Sequence, residues 1–223
     1  LLLKTATLDN VKDNVVISLV GVNSYHVSNC ISTYRQLQSE GYTVRVLTNR
    51  PDLFEPGDVY VYNRKIFTYL DKLLFCLELV EEYDCSVLSL DSDKYYEEHR
   101  IRSFIEKSQH HQITYQGSWP GGNFDAYRDI NPCFKYLKEY CEYRGIEYKN
   151  WKTMWEYAMF FRDDIDYQAI RYELETIAPV FTYMSLMNKE TYDKTPFALG
   201  GAEGLALSIV LDKLGIESQE VLI

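Results

Sequence analysis

The sequence is short of positive charge, of paired cysteines and of long apolar runs, and each shortage excludes a class of function. Against 33 acidic residues stand only 23 lysines and arginines, a formal net charge of -10. Such a surface repels nucleic acid and anionic membrane, so neither is expected as a general partner. A local basic site for a phosphorylated small molecule remains open. The five cysteines, Cys30, Cys76, Cys85, Cys133 and Cys141, are an odd number without a Cys-x-x-Cys pair. That argues against a disulfide framework or a zinc knuckle and for buried reduced thiols. No run of about 20 apolar residues is present to span a bilayer. The first residues, Leu-Leu-Leu-Lys-Thr-Ala, carry neither a charged leader nor a long apolar core. A cytoplasmic location is the expectation. The chain begins at Leu1 rather than Met, as either a trimmed chain or one domain cut from a longer polypeptide would.

What is present is apolar and aromatic. Of 223 residues, 46% are hydrophobic, enough for one large domain with a full core or two small ones. The 20 tyrosines either floor a carbohydrate site, where rings pack on the apolar faces of sugars, or serve the core and its edges. No internal repeat, low-complexity tract or linker divides the chain. One domain over 1–223 is expected, with a nucleotide-binding half at about 14–93 and a more variable, acceptor-side half at about 94–223.

Asn14 to Val22 is almost continuously apolar and predicts a central strand, followed by a turn at Gly21-Val22-Asn23-Ser24. Asn29 to Glu40 has helical spacing and Gly41 stops it. Thr43 to Thr48 predicts a second strand, Asp58 to Tyr62 a short third, Ile66 to Tyr83 a helix and Ser86 to Leu90 the next strand. This order implies a parallel sheet with right-handed crossovers, an α/β fold. Beyond it, Arg100 to Lys107 predicts a helix, Gln112 to Tyr115 a strand and Gly117 to Asn123 a loop. Helices are expected over Pro132 to Arg144, Trp151 to Phe161, Asp166 to Ile177 and Leu199 to Leu214, with strands at Val180 to Met184 and Glu220 to Ile223.

The chemistry concentrates where Ser86 to Leu90 runs into Asp91-Ser92-Asp93. Ligands of α/β proteins bind beyond the carboxyl ends of the strands. Two carboxylates one residue apart make a hard oxygen site for Mg²⁺ or Mn²⁺, which takes further ligands from water and a substrate phosphate. The alternative is a loop with two solvated acids. Lys72 precedes this strand on a helix, and either faces phosphates or is solvated. Arg50, after Asn49 at the end of the second strand, either reaches a nucleotide or is a loop arginine. The Gly200-Gly201 turn opens a helix whose first turn holds Glu203. Free backbone N–H groups there suit anions or sugar hydroxyls. Glu203 either binds hydroxyls or acts as a base, or it is a first-turn glutamate favoured by the helix dipole. The acidic cluster Asp163, Asp164 and Asp166 lacks calcium-loop spacing and reads better as a helix cap.

The short N-terminal strand, the β-α-β unit, the helix with Leu70-Asp71-Lys72-Leu73 and the Ser-Leu-Asp-Ser-Asp segment together resemble GT-A glycosyltransferases. Over roughly the first hundred residues the chain is most similar to the small glycosyltransferase domains encoded by large viruses of chlorella-like algae. It resembles glycogenin-like retaining enzymes more distantly. The resemblance implies the GT-A fold, a Rossmann-like central mixed sheet flanked by helices, and a metal-dependent transfer of a sugar from a nucleotide sugar, most often a UDP-sugar, to a carbohydrate acceptor. It leans towards retention. For a viral protein it also implies the host cytoplasm.

Residue by residue, the resemblance implies that Asp91 and Asp93 hold Mn²⁺ or Mg²⁺ on the donor diphosphate. Gly21, Val22, Asn23, Asn49, Arg50, Lys72 and Ser92 would then surround the nucleotide sugar. Trp119 and Gly201 would line the sugar or acceptor pocket, with Glu203 as the candidate catalytic residue. Two departures are visible. Glycogenin-like members take a third metal ligand from a C-terminal histidine, but here none lies beyond His111, so an acid, an asparagine or water must complete the site or it is weaker. The usual Asn-x-Gly element is replaced by Tyr115-Gln116-Gly117. Two other readings of the chain are a haloacid-dehalogenase-like phosphatase, with Asp91 as nucleophile and Asp93 as general acid, and a non-catalytic sugar-binding module.

Overall fold

A computed structural model describes residues 12, 14–22, 24–64, 67–68, 70–123, 133–147, 151–154, 157–191 and 202–222. The strands are β1 (Val15–Gly21), β2 (Thr43–Thr48), β3 (Val59–Val61), β4 (Ser86–Leu90), β5 (Ile113–Tyr115), β6 (Ser118–Asn123), β7 (Lys152–Met154), β8 (Ala158–Phe161) and β9 (Ser218–Glu220). The α-helices are α1 (Ser24–Ser39), α2 (Leu70–Tyr83), α3 (Glu98–Ser108), α4 (Cys133–Tyr143), α5 (Tyr167–Thr191) and α6 (Ala202–Leu214).

Seven strands form one mixed sheet in the order β3-β2-β1-β4-β8-β5-β9, and β6 pairs with β7 in a separate ribbon. The first four lie parallel. β8 runs antiparallel between β4 and β5, and β9 adds parallel to β5. The fold is thus α/β, a mixed seven-stranded sheet flanked by helices, compatible with a Rossmann-like arrangement.

Period-two alternation sorts the strand residues between two cores. Val15, Ile17 and Leu19 of β1, Leu88 and Leu90 of β4 and Phe160 of β8 pack with Cys30, Tyr34 and Leu37 of α1 and Ile101, Phe104 and Ile105 of α3. Val16, Val87, Met159 and Phe161 point the other way, into a cluster with α2, α5 and α6. The result is a three-layer stack of helices, sheet and helices. Gly21 lets α1 pack closely on the end of β1, because a Cβ there would lie 3.0 Å from the Cβ of Cys30. Gly204 lets α6 lie against β7, since its Cβ would come within 2.1 Å of the Met154 carbonyl oxygen.

Three expectations are corrected. Trp151 to Phe161 is not a helix but carries β7 and β8. Its apolar residues fall at helix-like intervals, yet Ala158 to Phe161 is buried on both faces and so shows no alternation. Gly117 to Asn123 is not all loop, because Ser118–Asn123 forms β6 opposite β7. Val180 to Met184 is not a strand: α5 continues through Pro179 to Thr191. The ring removes one N–H and disfavours a helix interior, but α5 is held by packing along α2, α4 and α6. The sheet is mixed, as the resemblance implied, and its first four strands are parallel, as their order implied. The remaining boundaries move by a few residues: α1 begins at Ser24, α2 at Leu70, and the last strand is Ser218–Glu220.

Cys30, Cys76 and Cys141 are buried free thiols and Cys85 is half-buried. Burial pushes the thiol of Cys30 up to about 12 and that of Cys141 to about 11. These two remain protonated, packed side chains rather than nucleophiles. Among the described residues, no helix is long and apolar enough to cross a membrane.

Candidate functional site

Because β1, β2, β3 and β4 are parallel, their carboxyl ends share one edge of the sheet. The strand order reverses between β1 and β4: β2 and β3 lie on one side of β1, and β4 lies on the other. Open α/β sheets bind ligands beyond the carboxyl ends at such a reversal. Gly21 and Val22 stand there after β1, and Asp91, Ser92 and Asp93 after β4. Asn49 and Arg50 follow β2, one strand away.

Lys72 joins this edge from α2. Its ammonium lies 2.5 Å from Asp91 Oδ1, with its side chain only 7% exposed. The solvated reading of Lys72 is therefore wrong; the reason is that the first turns of α2 pack under the end of β4. The buried ammonium needs a counter-charge, and Asp91 supplies it. Asp91 Oδ2 and both oxygens of Asp93 accept no hydrogen bond from the described residues, and each carboxylate is 26% exposed. They are open to water or to a ligand. Lys94 Nζ stands 3.6 Å from Asp93 Oδ2, with its side chain 42% exposed.

The loop that carries the acids is held from both sides. Thr33 on α1 points its hydroxyl between the carbonyls of Ser92 and Lys94, 3.1 Å from each. Gln36 donates to the Tyr96 carbonyl. Tyr96 in turn shares its hydroxyl proton between the carbonyls of Asp91 and Tyr157, both at 3.0 Å. Burial, then the charge of Asp91, raises the Tyr96 phenol well above its ordinary value, so it stays a donor. The Asp91 N–H donates to the Tyr157 carbonyl at 3.1 Å, which ties the loop to the start of β8. Thr48 braces the neighbouring strand ends, donating to the Gly21 carbonyl at 2.6 Å and accepting from the Arg50 N–H at 3.0 Å. Asp71 receives the Tyr62 hydroxyl, the Thr68 N–H and the Arg64 guanidinium, which ties Tyr62, Arg64 and Thr68 to the start of α2.

Two pockets flank the loop. One of about 390 Å³ lies between α1 and the segment Asp93–Tyr95. The other, of about 420 Å³, lies on the opposite side of Lys94 and Tyr95, over the ends of β4 and β8.

Of the residues expected at the site, Gly21, Val22, Lys72, Asp91, Ser92 and Asp93 meet at the β1–β4 edge. Arg50 is exposed beside it and forms a two-bond pair with Asp52 at 3.0 and 2.9 Å. That pair holds Asp52 below the usual carboxylate range. Glu203 is 2% exposed in the first turn of α6, against the contact with β7. Trp119 lies on β6, but its side chain, like Asn23 and Gly201, falls outside the described residues. Asp166 caps α5 through the Ala169 N–H at 3.0 Å, as expected, while Asp164 pairs with Arg162. Thr33, Thr48, Tyr96 and Tyr157 were not legible as site residues. Only Tyr96 lies within a few residues of the acidic motif, and the others arrive from distant parts of the chain. Neither a protein-family model nor a curated protein matches this sequence.

Thr33→Val keeps the side-chain volume and removes the donor. Two carbonyls lose a partner, so stability is expected to fall by about 1–2 kcal/mol in urea unfolding. If the loop presents Asp93 to a ligand, UDP affinity in Mn²⁺ should also fall, by about 3- to 10-fold in calorimetry, while affinity without metal stays unchanged. Equal metal-dependent affinity in both proteins would show that the anchoring serves stability alone.

Proposed function

We propose that the protein is a metal-dependent glycosyltransferase of the GT-A type, which moves a sugar from a UDP-sugar to a hydroxyl of a carbohydrate acceptor. The observation that carries this reading is the pair Asp91 and Asp93, partly exposed beside the β1–β4 reversal, where Asp91 Oδ2 and both Asp93 oxygens accept no hydrogen bond from the described residues.

The donor set fits Mn²⁺ or Mg²⁺. Its oxygens are hard, and such ions are often held by only one or two carboxylates plus substrate phosphates. No group of three or more His, Cys, Asp or Glu side chains suited to a metal occurs among the described residues. The reading accordingly calls for an ion held weakly until a diphosphate contributes. When bound, such an ion stabilises negative charge on the leaving diphosphate. Asp91 and Asp93 would hold it, and Lys72 orients Asp91 through Oδ1. Gly21 and Val22 offer main-chain groups at the end of β1, where a nucleotide can approach closely. Asn49 and Arg50 would reach the nucleotide from the end of β2, with Arg50 exchanging Asp52 for the ligand. Glu203 enters only through its place at the start of α6, and its burial favours the helix-dipole role.

The test is a thermal-shift screen of UDP-, GDP- and CMP-sugars with Mn²⁺, followed by turnover of any binder. A UDP-sugar at 100 times its Kd should add about 2.7 kcal/mol of stability, which is a rise of about 5–10 °C for a chain of this size. Absence of both a shift and consumption across the screen overturns the reading.

A further inference from the structure

We propose that the pocket of about 420 Å³ over the ends of β4 and β8 binds a neutral saccharide, the acceptor of the transfer. The assignment of acceptor rests on the transferase reading above; the assignment of a neutral sugar rests on the pocket itself.

Position comes first. The segment Lys94–Tyr95 forms a wall of this pocket and of the smaller one that Asp93 borders. A ligand here is one backbone segment away from the carboxylates that would hold the donor diphosphate. The antiparallel placement of β8 is what builds the pocket at this edge. It brings Tyr157 and Ala158 beside Leu90, and Gln116 beside Ala158, whose carbonyl accepts the Gln116 N–H at 3.0 Å.

The lining has the two chemistries a sugar presents. The floor is apolar, built on Leu88, Leu90, Phe104 and Ala158. At the rim, Tyr95 is 80% exposed, a large ring held at a pocket mouth with no hydrogen bond of its own among the described residues. Such a ring offers a face to the C–H side of a pyranose. The Gln116 side-chain amide also has no partner among the described residues. An amide supplies both donors and an acceptor, the complement of a pair of sugar hydroxyls. A volume of about 300–1,000 Å³ is usual for a small-molecule site.

Charge decides the class of sugar. The two cations at the rim are already balanced. Arg100 pairs with Glu97 at 2.7 Å, and Lys94 stands near Asp93 and over the Tyr157 ring, 5.1 Å from its centroid. A carboxylated, sulfated or phosphorylated sugar would have to compete with Glu97 or Asp93 for these cations in a protein of formal net charge -10. A neutral saccharide competes with neither.

Saturation-transfer NMR with maltotriose, cellotriose, mannotriose and lactose, and with a tri-galacturonate as the anionic control, tests the proposal on the whole chain. The variants are Tyr95→Ala, at an exposed position, and Gln116→Ala, and each is checked for an unchanged melting temperature. At least one neutral saccharide should bind. Its affinity should fall about tenfold in Tyr95→Ala and several-fold in Gln116→Ala, while UDP binding in Mn²⁺ stays within twofold of the original protein. Binding of no neutral saccharide, equal binding in both variants, or preference for the galacturonate overturns the proposal. A protein that binds the saccharide in this pocket but shows no UDP binding keeps the neutral-sugar site and loses the transferase reading, so the two failures are distinguishable.

Discussion

Asp93→Ala is expected to weaken UDP binding in the presence of Mn²⁺ by about 30-fold or more, an effect of about 2 kcal/mol. Without metal, the original and variant proteins should bind UDP alike. Asp93 is the better test of the pair. Asp91 balances the buried Lys72 ammonium, and its removal would strand a charge in the core, mixing a folding defect with a binding defect. Among the described residues, Asp93 forms its ion pair with Lys94 alone, at 3.6 Å, and the Lys94 side chain is 42% exposed. Exposed pairs of this kind contribute about 0–1 kcal/mol, so the variant should stay folded. Titration calorimetry with UDP, with and without Mn²⁺, reads the effect directly. Metal-independent UDP binding of equal strength in both proteins would remove the metal from the proposed function.

The largest effect on stability is expected from Phe160→Ala, a loss of about 3–5 kcal/mol. Phe160 is fully buried on β8. It is in register with Leu88 of β4 on one side and Thr114 of β5 on the other, and it packs into the core under α1 and α3. For a chain of this length the loss corresponds to a melting temperature lower by about 6–20 °C. Because β8 starts directly after Tyr157, whose carbonyl anchors Asp91, the metal-dependent UDP affinity should fall with it. A change in melting temperature under 3 °C would show that β8 does not hold the sheet together.

The first ninety residues were legible because each element there carries its own local signal. The run Asn14 to Val22 is almost continuously apolar, Gly41 stops α1, and Ser86 to Leu90 is a buried strand that ends on two acids. The segment after Asp93 was much less legible, and the errors have specific causes. Trp151, Met154, Trp155, Ala158 and Met159 repeat at helical intervals, whereas β8 is buried on both faces and shows no period of two. Pro179 signals a helix end that tertiary packing overrides. At the site, Asp91 and Asp93 announce themselves by type and spacing. Thr33 is one threonine among many on a helix, and nothing local distinguishes it.

The sequence by itself determined the α/β class, the parallel order of the first four strands and the position of the acidic pair at the end of β4. These follow from local apolar periodicity and from turn residues, which act over a few neighbours along the chain. Only the tertiary structure decided that β8 inserts antiparallel between β4 and β5, that Lys72 is buried against Asp91, and that Thr33 and Tyr96 clamp the loop between them. Each of these depends on contacts between residues 5 to about 70 positions apart. Such pairings are selected by burial and by satisfaction of polar groups in the assembled core, and no single stretch of sequence records them.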